Sequence, residues 1–176
     1  MTASELPHST ETTIDLINLL AGIGADSPAA ALRAERADVA TYIQGSYAAL
    51  LEPAEADGLS LTERASVALR VAILTESGDL VEHYRQRLTA LGVADAILAD
   101  VAAFPAQDRF TPRQAAILRH TDLLTNTPAA ATAADTDTLL SAGLSVSEVV
   151  TLAQLISFLS FQVRLLAVAQ LFAEEA

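Results

Sequence analysis

The sequence predicts an all-α protein, on three observations. Ala and Leu dominate an apolar fraction of 52%, while Trp is absent and aromatics reach only 5%, a composition that favours helix over strand. Apolar side chains recur at three- and four-residue spacing. The segments that carry them are bounded by Ser-Pro, Thr-Pro and Gly, the residues that start and stop helices.

Met1 to about Thr12 reads as a flexible tail, and residues 13–176 as one helical domain. Ile14, Leu16, Ile17, Leu19 and Leu20 form a short helix ending at Gly22 or Gly24. Ser27 and Pro28 supply an N-cap and a first-turn proline for a helix that runs past Tyr42, Ile43 and Tyr47 toward Leu51 and stops at Pro53 and Gly58. Thr62 is the expected cap of a third helix carrying Val67, Leu69, Val71 and Leu74, which ends at Ser77-Gly78-Asp79. A fourth starts at Asp79, presents Leu80, Tyr84, Leu88 and Leu91 on its core side, and terminates at Gly92. Ala94 to Phe104 is a short helix before Pro105.

Thr111-Pro112 opens the next helix, which runs to about Pro128. Thr132 to Ala142 forms another, closed by Gly143. Ser145 and Glu148 make a capping box for a long apolar helix from Val146 to Ala173. Its segment Val149–Phe172 is interrupted by Gln154, Gln162, Arg164 and Gln170, so a buried central helix is expected rather than a membrane span. Thr62-Glu63-Arg64 through Leu69-Arg70 echoes Thr111-Pro112-Arg113 through Leu118-Arg119, and each segment leads into a helix closed by Gly. Two related helical units are expected, about residues 35–105 and 106–176.

The net charge of -12, from 22 acidic and 10 basic residues, opposes binding to nucleic-acid phosphates or to an anionic membrane surface. No cysteine is present, which excludes disulfides, thiolate metal sites and a redox dithiol. Met1–Thr13 is polar and acidic, without the basic start and apolar run of a secretory leader, so a cytoplasmic location is expected.

The densest set of reactive side chains lies between Glu76 and Arg85. On a continuous helix Glu76, Asp79 and His83 would share one face and could transfer protons. If Gly78 breaks that helix, Asp79 becomes a cap or first-turn acid and His83 a solvated or core-edge residue. Ser77 as a nucleophile would need a base, which its spacing from His83 does not supply. His83 with Glu76, Asp79 or Glu82 makes a poor metal site, since one histidine joins flexible acids, and no metal or cofactor is expected. Tyr42, Tyr47, Phe158, Phe161 and Phe172 stand at helical spacing and are expected in the core, with the lining of a small-molecule pocket as the alternative. Arg164, within the last apolar helix, requires an acceptor. An ion pair with Glu63, Asp79 or Glu82 is expected there, with capture of a substrate acid as the alternative.

Leu59-Ser60-Leu61-Thr62-Glu63-Arg64-Ala65 and the closing Gly92, followed by Phe110-Thr111-Pro112-Arg113, Ala142-Gly143-Leu144-Ser145 and Phe158 through Leu165, resemble the carboxymuconolactone decarboxylase and alkylhydroperoxidase D (AhpD) superfamily. The peroxidase-related branch is the nearest in layout. The resemblance covers about residues 35–172 and rests on the order of the pieces. It implies an AhpD-like helical bundle that forms a homo-oligomer, a dimer, trimer or hexamer. With Glu63-Arg64 and Gly92 in register, the family's proton-relay glutamate falls on Ala65, its two cysteines on Ser77 and Leu80, and its histidine on Tyr84. A one-residue shift that captures His83 puts Glu76 and Asp79 at the cysteine positions and Arg64 at the glutamate. Neither register restores a redox site, because a hydroxyl forms neither a sulfenic acid nor a disulfide. The resemblance therefore implies a non-thiol member that acts as a binding or assembly partner, including of a redox-competent relative. The alternative is a cysteine-independent decarboxylase or lactone-type enzyme using His83 with Glu76, Asp79 or Glu82 on a small carboxylic acid.

Overall fold

A computed structural model describes residues 15–56, 58–106 and 109–174. The expected tail, with His8, lies outside these residues. Among them every regular element is helical: α1 (Leu16–Leu20), α2 (Pro28–Ala34), α3 (Ala37–Leu51), α4 (Leu61–Leu74), α5 (Gly78–Ala90), α6 (Asp95–Ala103), α7 (Pro112–Asn126), a single 3-10 turn (Pro128–Ala130), α8 (Ala133–Ser141) and α9 (Val146–Glu174). The all-α expectation holds.

The local reasons are mostly those of the sequence. Ser27 accepts a hydrogen bond from the Ala30 N–H ahead of Pro28, and Thr111 with Gln114 and Ser145 with Glu148 close reciprocal caps on α7 and α9. Gly22, Gly92 and Gly143 adopt positive φ after α1, α5 and α8, the left-handed geometry that ends a helix. Two expectations are corrected. The helix opened by Ser27 is broken at Glu35-Arg36 and resumes at Ala37, where Arg33–Asp38 offers no apolar side chain larger than alanine to hold one continuous axis against the core. The cap of α4 is Ser60, not Thr62: Ser60 and Glu63 exchange both hydrogen bonds of a capping box, and Thr62 lies inside the first turn. Matching the caps of α4 and α7 thus pairs Ser60 with Thr111, so the identities that align Thr62 with Thr111 do not occupy equivalent helical positions.

The centre of the bundle is α4. Every residue from Arg64 to Ala72 except Ser66 is buried, and α4 packs against α3, α5, α6, α7 and α9. The long helix α9 flanks this centre and does not occupy it. Its stripe Leu152, Leu155, Ile156, Leu159, Gln162, Leu166 and Ala169 is buried, while Val146, Val150, Phe161, Val168, Leu171 and Phe172 are exposed. By length and composition α9 would suffice to cross a membrane; its buried stripe packs on α4 and on the helices beside it.

Arginines stitch the helices together at their ends. Arg64 donates from Nε to the Leu59 carbonyl (2.8 Å) and from Nη1 to the Leu50 carbonyl (2.8 Å), and Arg87 donates to the Leu51 carbonyl (2.7 Å). The free carbonyls at the C-terminus of α3 are thereby capped by cations from α4 and α5. Arg70, buried in α4, grips Asp122 of α7 through two parallel bonds of 2.6 and 2.8 Å. It also donates to the Ala102 carbonyl at the end of α6 (3.2 Å) and lies over the Phe104 ring.

Arg113 of α7 bonds Glu63 (2.7 Å) and Glu148 (2.5 Å), the third residues of α4 and α9, and the Gly143 carbonyl beyond α8. Burial works against the charge on Glu63, but hydrogen bonds from Arg113 and Ser60 outweigh it and hold its carboxyl below the usual range. Glu148 is lowered by the Ser145 N–H and, after a small opposing burial effect, by Arg113.

Candidate functional site

The candidate residues divide between two faces of α5 and its approach. Leu80, Tyr84 and Leu88, four apart, are buried, and the adjoining His83 and Arg87 face the C-terminal end of α3. α4 ends first. Ser77 N–H bonds the Ala72 carbonyl and Glu76 N–H the Ile73 carbonyl, a paired termination in which Glu76 takes a left-handed φ of 55°.

That turn removes Glu76 from the helix that carries Asp79 and His83, so the three do not form one acid-base face. Glu76 is exposed. Ser77 stands at the N-cap of α5 without a side-chain cap bond. Asp79, an exposed first-turn acid, accepts from the Gln170 amide of α9 at 2.6 Å. Among the described residues no group of three metal-binding side chains is gathered. His120 is half-buried on α7, where burial lowers its pKa.

The structure joins His83 and Tyr84 to residues that the spacing argument did not select. Tyr84 is fully buried and donates its hydroxyl to the Gln162 side-chain oxygen of α9 at 2.5 Å. Burial pushes its phenol well above the ordinary value. The His83 Nε2 lies 3.0 Å from the Tyr47 hydroxyl of α3. Tyr47 is buried and its phenol is pushed up to about 12, mainly by desolvation. His83 is shifted down, first by its own burial and then by the Arg87 cation. Tyr47 and His83 are therefore both neutral near pH 7, with the phenol as the natural donor to the imidazole. Arg87 completes the group by pairing with Glu52 and lying over the Tyr47 ring.

Chemically this is a neutral hydrogen-bonded cluster. It holds no thiol, the Tyr84 hydroxyl is engaged with a buried amide, and His83 gains a proton only against burial and a neighbouring cation. Thiol-based peroxide reduction has no nucleophile here. Arg164 corrects another expectation: it is exposed and bonds the Ser160 carbonyl of its own helix at 3.2 Å, while Glu63 pairs with Arg113, Asp79 with the Gln170 amide and Glu82 with the Gln86 amide. Tyr42, Phe161 and Phe172 are exposed rather than core, Tyr42 at 73%.

Arg87 and Glu52 were not singled out by the sequence, and Tyr47 and Gln162 only as a core aromatic and as a polar interruption of the last helix. One signal for Gln162 was present: it interrupts the stripe Leu155, Leu159, Leu166 and Ala169 at helical spacing, and an amide in a buried stripe requires a polar partner.

Two solved structures share this fold. A peroxidase-related protein from Silicibacter sp. TM1040 superposes with a TM-score of 0.70 at 17% identity, over 76% of this chain and 69% of its own. A peroxidase-related protein from Ralstonia eutropha JMP134, described as an alkylhydroperoxidase AhpD core, gives 0.66 at 18% identity, over 74% and 68%. No protein-family model and no curated protein sequence matches the chain. The fold is AhpD-like, and the chain carries it without a cysteine.

Proposed function

We propose that this chain is a non-thiol member of the AhpD-like group and acts as a binding or assembly partner in a peroxidase-related or small-molecule pathway. The observation that carries this reading is the Tyr84–Gln162 pair. At the position where the resemblance puts the family's histidine, a buried phenol is bonded to a buried amide, and Leu80, at one cysteine position, is buried as well. A packed, neutral core in that place favours a structural use of the fold over turnover. Self-association into a homo-oligomer, or pairing with a redox-competent relative, is supported by the exposed apolar face of α9, where Phe161, Val168, Leu171 and Phe172 lie open. The acidic, cysteine-free composition suits a cytoplasmic setting. The test is peroxide consumption by the full chain with a dithiol donor. The expected rate equals the protein-free blank, and robust turnover overturns the proposal.

The Tyr47–His83 bond favours a second reading, cysteine-independent acid-base chemistry on a small carboxylic acid or lactone. With the bond in its other sense, Nε2–H donating to the Tyr47 oxygen, the neutral imidazole keeps Nδ1 free to accept a proton, although Asp79 and Glu76 do not support it. That reading is lost if His83→Ala leaves every detected decarboxylase or lactonase rate unchanged.

A further inference from the structure

A cavity of about 420 Å³ opens between the start of α4, the α5–α6 turn, α6 and the first half of α7, away from the cluster around His83 and Tyr84. Its floor is Val101, Ile117 and Leu118, all buried. Its rim includes Leu91 and Ile97, two large apolar side chains left in water at 36% and 46% exposure. A hollow whose floor is core and whose rim is exposed hydrocarbon is built to cover an apolar body, and its volume suits one of about fifteen to twenty heavy atoms.

The polar groups are few and collected on one side. Thr62 and Ser66 lie one turn apart on α4, with Gln114 opposite on α7. Ser66 donates its hydroxyl proton to the Thr62 carbonyl, which leaves its oxygen as an acceptor. Gln114 spends its carbonyl oxygen on the Thr111 cap, which leaves its amide N–H groups as the donors it can offer. The one acid on the wall, Glu63, is neutralised: Arg113 bonds one oxygen and Ser60 bonds the other. The wall thus presents the Ser66 oxygen as an acceptor, the Gln114 amide as a donor and the Thr62 hydroxyl, which can serve as either, with no free charge.

We propose that this cavity binds a small neutral molecule, an apolar ring or short chain bearing one carbonyl or hydroxyl, with its polar end between Ser66 and Gln114. This goes beyond the assembly reading and does not depend on it. A charged acid or amine would leave water for a site without a counter-ion, whereas a ketone or alcohol finds its partner.

The probe is prodan, a neutral naphthyl ketone whose emission shifts to the blue on leaving water, titrated into the full chain. The expected result is a saturable blue shift with one site per chain. Ile97→Trp, at the exposed rim, and Ser66→Leu, which fills the polar end, each weaken it at least tenfold with the circular dichroism unchanged, while Phe161→Ser on α9 leaves it intact. The ketone-free 2-(dimethylamino)naphthalene competes at least threefold less well. Absence of saturation, loss of binding in Phe161→Ser with retention in Ile97→Trp, or equal competition by the ketone-free analogue each overturns the assignment. Displacement of prodan as protein concentration enters the self-associating range also overturns it, since a second copy would then be the occupant.

Discussion

Tyr84 and Gln162 satisfy each other where water does not reach, so the consequence of separating them follows from desolvation. Tyr84→Phe leaves the Gln162 oxygen buried without its donor and is expected to cost about 1–3 kcal/mol in urea unfolding. The double variant Tyr84→Phe/Gln162→Leu recovers part of that loss, because no polar atom is then stranded. His83 sets a pH dependence of definite sign. Its folded pKa lies below the unfolded value, so between the two the unfolded chain binds more protons and stability rises with pH, then falls away as the medium is acidified through that window. Unfolding free energies at about pH 5.5 and about pH 7.5 should differ less in His83→Gln than in the parent. His120 shifts the same way and adds to the slope that remains.

At the level of helices, Glu76 and Arg113 are the informative positions. Glu76 holds a left-handed φ of 55° that disfavours a residue with a Cβ, so Glu76→Gly is expected to stabilise by about 0.5–1 kcal/mol, read as a raised Tm. Arg113→Met strips two first-turn carboxylates of their shared cation. The side chain keeps 27% of its exposure, so the expected cost is on the order of 2 kcal/mol, below that of breaking a fully buried pair. Helix starts and stops were largely legible because Ser27-Pro28, Thr111-Pro112, Gly92 and Gly143 act through local geometry. The cap of α4 was misplaced because Thr62 and Ser60 both suit the role, and only the reach of Glu63 back to the Ser60 N–H decides between them. The break at Glu35 was harder to read: Arg33–Asp38 carries no apolar side chain larger than alanine, but whether such a run breaks or stays helical depends on where α2 and α3 find core to pack on.

For the molecule as a whole, the fold was legible and the site was not. Periodicity identifies which side chains are apolar, but not that α3 brings Tyr47 to His83 or that α9 brings Gln162 to Tyr84; those meetings join positions 36 and 78 residues apart. The same blindness made α9 look central, since a helix apolar all round reads as buried whether its second face meets its own chain or another. If that face mediates self-association, Phe161→Asp with Val168→Glu shifts the full chain toward monomer in sedimentation while its helical content stays unchanged. The arginines on the last carbonyls of α3 have a consequence for motion. Because Arg64 and Arg87 reach those carbonyls from two different helices, α3 cannot fray at that end without loosening both. The amide protons of α3, α4 and α5 should therefore exchange with deuterium as one cooperative block, and Arg87→Met should split that block, releasing the end of α3 first.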